Sequence, residues 1–147
     1  MHVKAVNKGD EGKRMTKTAA ELVAAAEREI TTLSIEEVRA AMDDPNTQIV
    51  DIRDIRELWR EGKIPGAFHA ARGLNEFWID PTSVYHKPLF ANGKRFILYC
   101  GGAWRSALEA KMFQDMGLKN VAHMAGGFTA WQAAEMPVEA VEPKAPK

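Results

Sequence analysis

Three short runs, Gln48-Ile49-Val50-Asp51-Ile52, Phe96-Ile97-Leu98-Tyr99 and Val121-Ala122-His123-Met124, are each followed by turn residues and then by a segment of helical spacing. Runs this brief, apolar on consecutive positions, suit strands buried on both faces. Their alternation with helices implies an α/β fold, a small parallel sheet with helices on both faces. In such sheets ligands bind beyond the carboxyl ends of the strands. A chain of 147 residues is the size of one domain with one core.

The helical segments carry their own start and stop signals. Ser34 with Glu37 three residues on is a capping box ahead of Ile35, Val38 and Met42, and Asp54 with Glu57 repeats the device ahead of Ile55, Leu58 and Trp59. Gly62 and Gly117 stand where helix stops belong, the latter after Leu108, Met112 and Met116. Nearer the start, Leu22, Val23, Ala26 and Ile30 form a narrow apolar stripe in an alanine-rich stretch. Four regions follow: a polar, lysine-bearing flexible arm over 1–18, an N-terminal helix over 19–31, the α/β domain over 32–137, and a proline-marked flexible tail over 138–147. The stripe of the N-terminal helix must be covered, by its own domain or by a second copy of the chain in a homo-oligomer. Between Ala67 and Gly93 the sequence is aperiodic, with a short strand expected at Ala67 to Ala70 and one helical turn near Leu74 to Trp78. Phe77, Trp78 and Tyr85 either pin this connection to the core, the commoner role, or wall an entrance.

Cys100, the one cysteine, ends the central run and is followed by Gly101-Gly102-Ala103-Trp104-Arg105 and a helix start. A lone cysteine on an apolar strand is often no more than a small buried hydrophobe. What argues for chemistry here is the loop: a strand that bends through small residues into a helix aims the sulfur and several unpaired backbone N–H groups at one point. Negative charge is welcome there, and the reactive thiolate is favoured over the thiol. One cysteine excludes an intrachain disulfide and a multi-cysteine zinc site, and fits a reducing, cytoplasmic setting. His2, His69, His86 and His123 lack metal-ligand spacing, and His123, on a core strand, reads as a hydrogen-bonded core residue. No nucleotide-binding glycine pattern occurs, so no cofactor is implied. Acidic and basic residues balance at 20 each, and no stretch has the length of a membrane span, which disfavours nucleic acid and membrane partners.

From about Thr32 to Pro137 the chain resembles the rhodanese-like single-domain sulfurtransferases. Val50-Asp51-Ile52-Arg53 with Glu57 and Trp59 is similar to the family's early strand motif. Gly62-Lys63-Ile64-Pro65-Gly66-Ala67 is similar to its Gly-His-Ile-Pro-Gly-Ala signature, with Lys63 in place of His. Cys100 to Arg105 with Ser106 is similar to the active-site loop, and Gly126-Gly127-Phe128 with Ala130-Trp131 to the closing motif. The resemblance implies that Cys100 is the nucleophile and carries a persulfide. The N–H groups of Gly101, Gly102, Ala103, Trp104 and Arg105 would cradle its outer sulfur, and Arg105 would hold the loop and add positive potential, or pair with Asp51 or Glu57, or both. It implies a small sulfur donor such as thiosulfate, or a protein persulfide, and a thiol acceptor. The loop lacks the further basic residues that attract thiosulfate in some relatives, which favours the protein donor.

Two departures from the family pattern bear on specificity: Ala103 stands where many members have Gly, and Trp104 is bulky. Rival chemistries are a phosphatase or arsenate reductase on the same fold. Four residues separate Cys100 from Arg105 where similar phosphatases carry five, and the loop contains no Asp or Glu to act as general acid. A non-catalytic redox-sensing or partner-binding module is the third reading.

Overall fold

The structure is a computed structural model and describes residues 15–144. Most of the expected 1–18 arm, residues 1–14, lies outside the described residues. Five strands, β1 (Thr31–Leu33), β2 (Thr47–Asp51), β3 (Phe68–His69), β4 (Arg95–Tyr99) and β5 (Val121–Met124), form one sheet in the order β1-β5-β4-β2-β3 with every pairing parallel. Six α-helices accompany it among the described residues: α1 (Ala19–Glu29), α2 (Ile35–Ala41), α3 (Ile55–Glu61), α4 (Asn75–Ile79), α5 (Trp104–Asp115) and α6 (Gly127–Ala133). No helix among these residues is long and apolar enough to cross a membrane.

Alternation along the strands divides the core in two. Phe96, Leu98 and Cys100 face the cluster built with α1, α4 and α5, whereas Ile97 and Tyr99 face the one built with α2 and α6. Both faces are covered, which is why the strands read as continuous apolar runs. The capping boxes at Ser34 and Asp54 are both present in full. Helix α1 buries Val23 and Ala26 against α5 of the same chain, while Leu22 of the same stripe stays exposed.

After β2 the chain crosses to β3 on one side, and after β4 it crosses to β5 on the other. The neighbouring carboxyl ends of β2 and β4 therefore feed diverging connections, the arrangement that opens a crevice at a sheet's switch point. Cys100 directly follows β4, and α3 follows β2.

Two expectations need correction. The N-terminal helix expected to run to 31 ends at Glu29, and Thr31–Leu33 is the edge strand β1. The tail expected to be free from 138 is pinned at its start: Lys63 and Glu139 exchange both backbone hydrogen bonds, at 2.9 and 2.8 Å, and Trp131 Nε1 donates to the Pro137 carbonyl at 2.7 Å. Of the three aromatics in the long connection, Trp78 packs on the core, while Phe77 and Tyr85 are exposed and meet edge to face.

Candidate active site

The loop that follows β4 is shaped by three anchors. The first is its own backbone. Ala103, not either glycine, takes the left-handed conformation, with φ 75°, and from it α5 starts at Trp104. Gly101 is needed for space: a Cβ there would lie 3.2 Å from Arg105 Nη2 and 3.7 Å from Glu57 Oε1. At Gly102 a Cβ would meet nothing within 4 Å.

The second anchor is an ion pair across the crevice. Arg105 donates from Nη1 to Glu57 Oε2 at 2.9 Å and from Nη2 to Glu57 Oε1 at 3.0 Å, a bidentate geometry that fixes both side chains. Those bonds hold the Glu57 carboxyl below the usual carboxylate range. Of the two partners expected for Arg105, Glu57 is the one. Asp51 is committed elsewhere. Fully buried, it accepts from Arg53 Nε at 3.0 Å and Nη2 at 2.7 Å and from the Tyr99 hydroxyl at 2.5 Å. The Arg53 guanidinium also donates to the Gly62 carbonyl and lies over the Phe128 ring, 4.2 Å from its centroid. The interruption that Asp51 makes in its strand is therefore the acceptor of a buried cation that ties the start of α3, and with it Glu57, to the sheet.

The third anchor comes from α6. Phe128 N donates to the Cys100 carbonyl at 2.8 Å and Thr129 N to the Gly101 carbonyl at 3.1 Å. Gly127, with φ 64°, lets α6 come this close; a Cβ on it would stand 2.6 Å from the Gly101 carbonyl carbon and 2.8 Å from the Cys100 carbonyl oxygen. The carbonyls at the head of the loop are thus satisfied. The N–H groups of residues 101 to 105 donate to no acceptor among the described residues, leaving them free for an anion.

Cys100 itself is 1% exposed. Its Sγ accepts from Ser106 N at 3.4 Å and lies 3.6 Å from Ser106 Oγ. Ser106 Oγ in turn lies 2.9 Å from His123 Nδ1, and His123 Nε2 lies 3.1 Å from Thr32 Oγ1. Burial alone pushes the His123 imidazole down from 6.5 to about 4. The sequence placed Ser106 in the loop motif and His123 in the core, hydrogen-bonded, but nothing in their spacing joins them. Their meeting depends on α5 crossing β5, which only the packed fold supplies. Trp104 is half exposed at the first position of α5, beside the loop rather than in the core.

A model of the rhodanese-like domain matches residues 34–134. Among solved structures the chain is 48% identical to a protein of unknown function from Rhodopseudomonas palustris described as a possible tyrosine phosphatase, with a TM-score of 0.83 covering 86% of this chain and 97% of that one. It is 26% identical to the polysulfide-sulfur transferase homodimer of Wolinella succinogenes, with a TM-score of 0.62 covering 81% of this chain and 85% of that one. Among curated proteins it is 22% identical over 111 residues to thiosulfate sulfurtransferase/rhodanese-like domain-containing protein 3 of Mus musculus, spanning 72% of this chain and 71% of the mouse protein.

Proposed function

The chain belongs to the rhodanese-like domain family, and from that premise we propose that it is a sulfurtransferase that carries a sulfane sulfur as a persulfide on Cys100. The observation that carries the reading is the run of amides from Gly101 to Arg105 left without acceptors directly after Cys100. In the first step the Cys100 thiolate attacks the outer sulfur of thiosulfate or of a protein persulfide. The donor's S–S bond breaks, sulfite or the donor thiolate leaves with the electron pair, and one sulfur stays on Cys100 as an anionic persulfide. The free amides are the donors for that outer sulfur, and Arg105, locked to Glu57, keeps the ring of amides in shape. An acceptor thiolate then attacks the outer sulfur, takes it away, and returns Cys100 as thiolate. Charge and sulfur balance in both steps.

A second reading, phosphate-ester hydrolysis, is favoured by one observation, the description of the R. palustris protein as a possible tyrosine phosphatase. Against it stand the four residues between Cys100 and Arg105 and a loop that contains no carboxylic acid to protonate a leaving group. Intact-mass spectrometry separates the two. Incubation with thiosulfate or a protein persulfide adds one sulfur, about 32 Da, which cyanide removes, and C100S takes up none. No adduct from either donor, together with turnover of an aryl phosphate, would replace the sulfur reading by the phosphatase one.

A further inference from the structure

Behind the loop runs a line of polar side chains that the sulfur-transfer steps above do not use. It starts at Cys100 Sγ, passes Ser106 Oγ at 3.6 Å and His123 Nδ1 at 2.9 Å beyond that, and ends at Thr32 Oγ1, 3.1 Å from His123 Nε2. The line is dry at the sulfur and wet at the far end: Cys100 and His123 are 1% exposed and Ser106 0%, whereas Thr32 is exposed on the edge strand β1. Thr32 and His123 are direct partners in the β1–β5 register, which holds the outer link in place.

Every member can point its hydrogen bonds either way. Serine and threonine hydroxyls donate or accept, and a neutral imidazole carries its one proton on either nitrogen. Burial is the cause of the lowered His123, and its two ring nitrogens each face a hydroxyl oxygen that can donate or accept. A buried thiolate needs donors. The Ser106 amide supplies one, and the Ser106 hydroxyl supplies a second when it turns to the sulfur, an orientation that an Nδ1–H donating to Oγ holds in place.

We propose that His123 is a positioning residue that, acting through Ser106, turns a hydroxyl donor onto the Cys100 sulfur whenever that sulfur is anionic. The protons balance along the line. The thiol proton passes to Ser106 Oγ, the serine's own proton to His123 Nδ1, the Nε2 proton to Thr32 Oγ1, and the threonine's proton to solvent. Only the sulfur changes charge. Afterwards Thr32 donates to Nε2, Nδ1–H to Ser106 Oγ, and Ser106 O–H to the thiolate. When the thiol reforms, the direction reverses. This role rests on Cys100 being the reactive group, but not on sulfur being what it transfers.

The test reads ionisation of Cys100 directly, from the ultraviolet absorbance of its thiolate with C100S as the blank, and so works whether or not sulfur is transferred. S106A and H123L should each lower the thiolate fraction near neutral pH, by up to about tenfold, the size expected for one lost hydrogen bond to an anion. The double variant should be no lower than S106A alone, because His123 acts through the serine. H123N, which can place an amide donor where Nδ1–H stood, should recover most of the loss. Additive effects of S106A and H123L, or an H123N variant as low as H123L, would overturn the proposal. Melting temperatures measured beside the absorbance show whether any variant has merely unfolded. A wild-type protein that passes this test but takes up no sulfur would lose the sulfurtransferase reading and keep the relay.

Discussion

Ala103 holds a conformation that costs an L-residue roughly 1–2 kcal/mol, with φ 75° at the turn into α5. Its Cβ is nonetheless well used, since the residue is only 9% exposed. Replacing it by glycine removes the strain, but also loses a buried methyl and adds freedom to the unfolded chain, so A103G should change stability by less than about 1 kcal/mol. A103V meets the opposite fate. A β-branched residue in the left-handed region is a genuine outlier, and a loss of about 2 kcal/mol or more is expected. Urea denaturation of the two variants decides it: equal tolerance would mean that the loop does not hold Ala103 left-handed. The same residue shows what the sequence could and could not say. Gly101-Gly102-Ala103 announces a tight turn after a strand, and the turn is there. Which of the three takes the positive φ depends on where Arg105, Glu57 and the carbonyls of the loop come to rest, and those are tertiary facts.

The elements around the loop were legible wherever local chemistry defines them. Both capping boxes, the strand ending at Tyr99 and the helix that follows the Cys100 loop are read from residues a few positions apart, although that helix opens at Trp104, inside the expected loop. Strand β1 was not legible, because Thr31-Thr32-Leu33 is short, lies at a sheet edge and buries only Leu33. Nor was the work of α6. The paired glycines at 126 and 127 read as a turn, whereas in space Gly127 is what allows two amides of α6 to bond the carbonyls of Cys100 and Gly101. A sharp contrast follows between two glycines of the same site. G127A must push the backbone of α6 off the loop at a positive φ, and should cost about 1–3 kcal/mol and lower the rate of persulfide formation at least about tenfold. G102A meets open space and should leave stability within about 1 kcal/mol. Denaturation curves and mass-detected sulfur uptake measure both, and an intact rate in G127A would remove α6 as a support of the loop. D51N tests the other support. It takes from the fully buried Arg53 its one buried carboxylate, leaving only the part-exposed Glu61 at 3.3 Å, and should lower stability by up to about 3–5 kcal/mol, read from the same curves, although Asp51 never touches the loop.

At the scale of the whole molecule, two buried groups on α5 and β5 carry opposite pH dependences. Glu109 on α5 is 3% exposed. Burial pushes its carboxyl up from 4.5 to about 7, against the opposing effects of the Asn75 Nδ2 hydrogen bond at 2.7 Å and of Arg72. A raised carboxyl favours the fold when protonated, so its contribution is present in full below 4.5 and is lost as the pH rises through about 7. His123 runs the other way. Lowered from 6.5 to about 4, it favours the fold when neutral, and its contribution is present above 6.5 and lost as the pH falls towards about 4. Each window spans a similar shift, on the order of 3 kcal/mol at 1.36 kcal/mol per pH unit. Through most of the range from 4.5 to 6.5 the unfolded chain takes up a proton on His123 while the folded one keeps a proton on Glu109, and the two slopes oppose each other. Stability of the wild-type protein should therefore vary little with pH across that range. Removing either group unmasks the other: E109Q should gain stability steadily as the pH is raised from 4.5 to 6.5, and H123N should lose it over the same interval. Equilibrium urea denaturation at half-unit pH steps provides the curves. A wild-type slope as steep as that of E109Q would mean that Glu109 stays ionised in the fold, and that the carboxylate beneath the 72–75 segment is solvated rather than buried.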